Sequence, residues 1–303
     1  MKFKYRVYGL NIESELELSE LIKLEEDTPN IDVSISYGKV PKEIKDKINE
    51  TTCVGITKSN MCLYVKDIAI YQVTDGNKIT IEYLNDMNIH RIKAYLLGWA
   101  FGVLFVQRNT IALHGATIVK NNKAFIIAGR SKSGKSTLSS SLIKKGYKFL
   151  SDDVAPVELY ENEIIIHPAY PQQKLGRDIM DILGYDVNNY EINRIGSERE
   201  RYKVPVRDIF IDKALPIKAI IEITVDDNEE VEIEKMEGSE KMDCLLENIY
   251  FLNVARNSGM KPEYFKQCLQ IAKEIPIYKI KRPDGKFTIK EQIDFIEDIL
   301  LDA

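Results

Sequence analysis

At 303 residues with 44% hydrophobic side chains, the chain can fill one large α/β core or two smaller ones, and disorder is excluded as the default. Its 42 Lys and Arg against 47 Asp and Glu leave a formal charge of -5 and a pI near 5.5, so there is no whole-chain basic footprint and no nucleic-acid partner is expected. Four cysteines (Cys53, Cys62, Cys244, Cys268) stand far apart, with no C-x-x-C and no histidine at metal-ligand spacing, which fits reduced thiols in a cytoplasmic protein.

The opening residues, MKFKYRVYGLNIESEL, carry scattered charge and no apolar h-region, so no secretory leader is expected. From there to about residue 88 the pattern is β: KYRVYGLNI, IDVSISYG and CLYVKDIAIYQVTDGNKITIEYL, with Asp75-Gly76 between alternating apolar runs predicting a hairpin turn. An antiparallel, β-rich N-terminal domain over 1–88 follows from this, with a second domain over 89–303. The most apolar run, AYLLGWAFGVLFV, has 13 residues against the roughly 20 that span a bilayer, so it predicts a buried helix within 89–108 and no membrane partner.

The pattern then switches. IALHGATIV and KAFIIAG are short β-branched runs around Asn121-Asn122. KSTLSSSLIKKG places Leu138, Leu142 and Ile143 at helical spacing with Gly146 as a stop, and YKFLSDD is a buried strand ending in two aspartates. Strand, glycine loop, helix and strand make the βαβ arrangement of nucleotide-binding α/β folds. APVELYENEIIIHPAYP predicts a hairpin, and 176–208, polar and Arg-rich, a mobile loop. Strands IKAIIEITV, EEVEIEKM and IPIYKIKR and helices over Glu240–Ala255, Pro262–Glu274 and Ile289–Leu301 complete the chain.

Gly129-Arg130-Ser131-Lys132-Ser133-Gly134-Lys135-Ser136 fits G-x-x-x-x-G-K-[ST] at every fixed position. Gly129 and Gly134 let the backbone approach phosphate oxygens, and the N–H groups around Lys132, Ser133, Ser136 and Thr137 gather at a helix head that favours negative charge. Lys135 supplies a point charge for the β- and γ-phosphates of ATP, and the Ser136 hydroxyl is the expected Mg²⁺ ligand.

The loop alone does not distinguish a kinase from a hydrolase or a switch. Asp152 and Asp153 end the following strand, where open α/β sheets place their ligand crevice. In an extended chain the two carboxylates point to opposite faces and divide their work: one holds the metal with Ser136, the other takes a proton from an attacking hydroxyl. His114 stands either as a core histidine or as an active-site residue. Arg194, Arg199, Arg201, Lys203 and Arg207 fall within 14 positions, interleaved with Glu198 and Glu200. They read either as a solvated loop or as a source of one cation for a γ-phosphate in flight, with Arg201 and Lys203 the best placed.

With LHG, the loop and IKKGYKFLSDD in register, residues 113–153 resemble the catalytic domain of the HPr kinase/phosphorylase family. The resemblance implies a P-loop kinase core, Asp152 as general base toward a serine hydroxyl, Asp153 as its partner near the metal, and His114 beside them. The Gly-rich signature and metal-binding glutamate of that family are replaced here by HPAYPQQKLGRD. This segment, the N-terminal β layer and ERERYKVPV look more like the divergent members that phosphorylate precursor peptides, including lasso-peptide precursor kinases. The implied function is an ATP- and Mg²⁺-dependent kinase acting on a serine of a peptide or small protein, and the resemblance implies a homo-oligomer. A small-molecule alcohol or amino-acid kinase and a non-catalytic nucleotide sensor remain as alternatives.

Overall fold

A computed structural model describes residues 2–46, 48, 54–57, 59–84, 88–161, 163–193 and 200–301. Cys53, Arg194, Glu198 and Arg199 lie outside the described residues. The N-terminal unit carries β1 (Phe3–Val7), β2 (Leu10–Ser14), β3 (Ile22–Lys23), β4 (Val33–Tyr37), the single turn α1 (Lys42–Lys45), β5 (Val54–Thr57), β6 (Asn60–Val65), β7 (Ala69–Thr74) and β8 (Lys78–Tyr83). Among the described residues these strands form one sheet in the order β3-β1-β2-β4-β8-β7-β6-β5.

Two departures from the expected pattern follow from turn chemistry and connection length. KYRVYGLNI is not one strand but two, because Tyr8 and Gly9 both take positive φ and close a tight β1–β2 hairpin. The sheet is also mixed rather than antiparallel, since β4 pairs parallel with both β2 and β8. The longer connections before and after β4 allow that return, whereas Asp75-Gly76 forms the expected left-handed turn between antiparallel β7 and β8.

One helical segment covers this sheet: α2 (Ile89–Tyr95), a π-turn (Leu96–Ala100) and α3 (Phe101–Arg108). The Asn88 side chain caps its start by accepting the Arg91 N–H, and Asn109 in the left-handed region ends it. Ile92, Leu96, Phe101 and Leu104 are fully buried in a core shared with Tyr5, Ile12 and Tyr71 of the sheet. Ile89–Arg108 is long and apolar enough to cross a membrane, and 56% of its most apolar window is buried inside the protein.

The second half holds β9 (Ile111–Lys120), β10 (Lys123–Ala128), α4 (Lys135–Lys144), β11 (Lys148–Ser151), β12 (Val154–Tyr160), β13 (Glu163–Ile166), β14 (Gln172–Gly176) and α5 (Arg177–Leu183). It continues through β15 (Ile192–Asn193), β16 (Arg201–Pro205), β17 (Leu215–Asp226), β18 (Glu232–Lys235), α6 (Gly238–Glu247), α7 (Leu252–Asn257), α8 (Pro262–Glu274), β19 (Ile277–Pro283) and α9 (Ile289–Leu301). Strands β10, β17 and β19 run parallel and next to one another, and β9 is antiparallel to β10. The strand after the loop helix, β11, pairs with β9 and not with β10, so the crossover through α4 skips one strand.

Strand β10 is buried on both faces, as its unbroken apolar run requires. Phe125 and Ile127 pack with Leu138 and Leu142 of α4 and Ile296 of α9. Ala124, Ile126 and Ala128 face Leu245 of α6 and Cys268 of α8. The segment expected as one helix over Glu240–Ala255 is two: α6 ends at Glu247, and Phe251, with positive φ, precedes α7. Between them Asn248 and Tyr250 bond to β9, the carbonyl of the former accepting the His114 N–H at 2.7 Å.

Of residues 176–208, the described ones, 176–193 and 200–208, correct the expectation of a mobile loop. Strands β14, β16 and β15 form a three-stranded antiparallel sheet, with α5 packed on it around Leu175, Met180, Leu183, Tyr202 and Val204. Its apolar residues are spaced too widely along a charged stretch to show a period; they converge only when the strands pair. Leu175 is fully buried, so Leu175→Ala is expected to destabilise this layer by about 2–5 kcal/mol, seen as a lower melting temperature and faster cleavage within 176–208. A loss no larger than that of a surface substitution would contradict a packed layer.

Candidate active site

The loop from Gly129 to Gly134 leaves β10 and enters α4. Gly129 has φ +130°, and a Cβ there would collide with the Ile223 carbonyl oxygen of β17, so the close approach of two strands demands glycine. Gly134 (φ +111°) precedes α4, and no side chain caps that helix, which leaves its first-turn N–H groups for a ligand. Arg282, at the end of β19, binds the loop from outside: its Nε donates to the Ser133 carbonyl at 2.6 Å and its Nη2 to that of Lys132 at 3.3 Å. Carbonyls turned toward Arg282 cannot also line a phosphate cradle, so this residue sets the polarity of the loop. Lys132 pays for the shape with a positive φ of 70°.

Lys135 folds back over the turn and donates to the carbonyls of Gly129 at 2.6 Å and Arg130 at 3.0 Å. Burial lowers its pKa, opposed by the nearby charges of Asp153 and Asp152 and assisted by Arg201. Ser133 Oγ is buried within the loop and has no hydrogen-bond partner. Ser131 and Lys132 are exposed at the tip, while Ser136 and Thr137 are half-buried in the first turn of α4.

Strands β11 and β12 lie along the same edge of β9, with Ser151 opposite Thr117 and Val154 opposite His114. Asp152 and Asp153 form the bend between them. Their carboxylates do not separate to opposite faces, because the strand is broken there, and both meet Lys174 of β14. Asp152 Oδ2 accepts the Lys174 main-chain N–H at 2.9 Å, and Asp153 Oδ2 accepts the Lys174 ammonium at 2.7 Å. Arg201 of β16 brings Nη1 to 3.8 Å from Asp153 Oδ1.

Burial, then the charge of Asp153, pushes Asp152 up to about 7. Burial acts on Asp153 in the same direction, but Lys174 first, then Arg201 and His114, hold it well below the usual carboxylate range. His114 projects from β9 beside them, stacked on Tyr250 with ring centroids 5.9 Å apart, and its Nδ1 is buried without a partner. Burial and Lys135 lower its pKa against the pull of Asp153, which favours the neutral ring. Lys135, Asp152, Asp153, His114 and Arg201 thus share one electrostatic neighbourhood. Lys203 is turned elsewhere, its ammonium 3.3 Å from Glu191 and 3.7 Å from Glu20, and Arg207 donates to the Ser19 carbonyl.

The donor set fits a magnesium ion at one point and not at the other. Ser136 offers a hydroxyl oxygen in the first turn of α4, suited to a metal that travels with a triphosphate. Asp153 has a cation facing each of its oxygens, and among the described residues no three His, Cys, Asp or Glu side chains converge on a metal position.

Residues that sequence reasoning passed over are Lys174, Asn248, Arg282 and Tyr170. The Asn248 Oδ1 accepts the Gly129 N–H at 2.9 Å, while its Nδ2 donates to Glu222 Oε1 at 2.9 Å. Tyr170 and Lys174 fall within HPAYPQQKLGRD, to which no residue-level role attaches; Asn248 and Arg282 lie in no recognisable motif, and Arg282 acts 149 positions from the carbonyl that it binds.

No family model matches the sequence, and no curated protein matches it. Among solved structures, a match is found to the Hpr(Ser) kinase/phosphatase from Coxiella burnetii, 14% identical, covering 63% of this chain and 94% of that one with a TM-score of 0.32. A likeness at that TM-score is distant, and nothing about the site rests on it.

Proposed function

We propose that this chain is an ATP-dependent phosphotransferase that moves the γ-phosphate to a hydroxyl, most specifically a serine of a peptide or small protein. The observation that carries the reading is the juxtaposition of two half-sites: a glycine loop with an uncapped helix head, and an aspartate pair whose charge reaches Lys135. A phosphate donor in the loop would present its outermost phosphorus toward the carboxylates, across a gap that an alcohol can enter.

Each residue then has a limited task. Amides of the loop and of Lys135, Ser136 and Thr137 receive phosphate oxygens, and Lys135 exchanges the carbonyls of Gly129 and Arg130 for them. Ser131, Lys132 and Ser133 complete the wall, the orphan Ser133 Oγ gaining an acceptor. Magnesium brought by the nucleotide neutralises the β- and γ-phosphates, with Ser136 Oγ as its protein oxygen. Asp152 takes the acceptor proton, neutral His114 offers a ring nitrogen to the reacting oxygens, and Arg201 stabilises the charge that spreads over the phosphoryl group.

Beside the aspartates, Tyr8, Leu97, Tyr170 and Lys174 bound a cavity of about 10 Å³, room for about one hydroxyl group.

Asp152→Asn is expected to lower phosphoryl transfer by about 10²–10⁴-fold while leaving ATP affinity intact, read by labelled-ATP transfer beside calorimetry. Equal loss of both would show that the carboxylate serves the fold. Arg201→Ala is expected to lower kcat by about 10²–10³-fold with little change in ATP binding. Wild-type protein that binds ATP yet neither transfers nor releases phosphate, with serine peptides and small alcohols both offered, would identify a nucleotide sensor and end the kinase reading.

A further inference from the structure

Lys174 is the residue that joins the two aspartates. Its main-chain N–H holds Asp152 and its ammonium holds Asp153, so a single residue sets the direction of both carboxylates. The side chain is only 8% exposed. A lysine buried to that degree is strongly destabilising unless its charge is matched, and here Asp153, Asp152 and Tyr170 surround it, with the ammonium 6.0 Å from the centre of the Tyr170 ring.

The lysine is also held from behind. Leu175 anchors β14 in the core of the small sheet, and Gln173 on the other side donates to Ser140 Oγ of α4 at 3.3 Å. Alternation along the strand then directs residue 174 toward the aspartates, with little freedom to withdraw. A divalent ion on Asp153 would need a carboxylate oxygen at about 2.1 Å, within the reach of an ammonium that already occupies one oxygen and repels a second cation.

We propose that Lys174 is a built-in cation of this site: its ammonium takes the place at Asp153 that a divalent metal would need, and together with its main-chain N–H it positions the aspartate pair. Metal is then confined to the ion carried by the nucleotide. Lys174 acts through the carboxylates and is a positioning residue, not a catalytic one. The placement stands on the contacts above; the confinement of metal to the nucleotide and the consequence for turnover rest on the phosphotransferase reading.

The test is a Mn²⁺ titration of nucleotide-free full-length protein, followed by electron paramagnetic resonance, which needs no turnover. Wild type and Lys174→Arg are expected to show no Mn²⁺ site dependent on Asp153. Lys174→Met should gain Mn²⁺ affinity by at least about tenfold, and Lys174→Met/Asp153→Asn should lose that gain. A Mn²⁺ site in wild type that Asp153→Asn abolishes would overturn the proposal, as would a folded Lys174→Met protein with no gain. Should Lys174→Met fail to fold, Lys174→Gln stands in for it: a gain in Mn²⁺ affinity of at least about tenfold supports the built-in cation, and a folded protein with no gain refutes it. An enzyme without phosphate transfer would defeat the function proposed above, and the titration would still answer for Lys174.

Discussion

One buried amide holds the machinery in register. Asn248 accepts the N–H of Gly129 at the start of the loop, donates to Glu222 on β17 and to the Cys244 carbonyl on α6, and gives its own carbonyl to the N–H of His114 on β9. Both ends of the side chain and its main-chain oxygen are therefore satisfied, which suits a residue buried between strands and helices. The Glu222 carboxylate is in turn 3.6 Å from the Lys279 ammonium of β19. Loop, histidine strand and central strand cannot shift independently while these bonds stand.

That anchor exists because the helical segment breaks. Had α6 continued unbroken, the Asn248 carbonyl and the Tyr250 N–H would have bonded within the helix and not to β9. The helix ends at Glu247, Phe251 takes positive φ ahead of α7, and Tyr250 between them stacks on the His114 ring. A local departure from regular structure thus links the Gly129–Gly134 loop to the strand that carries His114.

Three layers meet at the aspartates. The central sheet supplies the loop and the carboxylates, the small sheet supplies Lys174 and Arg201, and the N-terminal sheet contributes Tyr8, whose hydroxyl donates to the Leu97 carbonyl and whose N–H donates to that of Pro168. Glu20 of the N-terminal unit lies within ion-pair distance of both Lys93 and Lys203, and all three side chains are largely buried. Breaking such a group leaves a charge without a partner, a cost of several kcal/mol in comparable buried pairs. The small sheet, and with it the reach of Arg201, is in this way tied to the N-terminal unit.

What the chain reveals in one dimension is what local physics controls. The glycine loop, the Asp75-Gly76 turn, the two-sided burial of KAFIIAG and the helices at 262–274 and 289–301 each follow from a backbone requirement or a hydrophobic period within a few residues. The parallel pairings of β4, the β9 strand inserted between β10 and β11, and the three-stranded layer of 172–205 depend on partners far along the chain, and no local period encodes them. The same holds within the site. Residue types alone single out Lys135 and the aspartates, but the grip of Lys174, Asn248 and Arg282 arises only when strands distant in sequence pack together, since a hydrogen bond is decided by where its partner lies in space and not by its place in the chain.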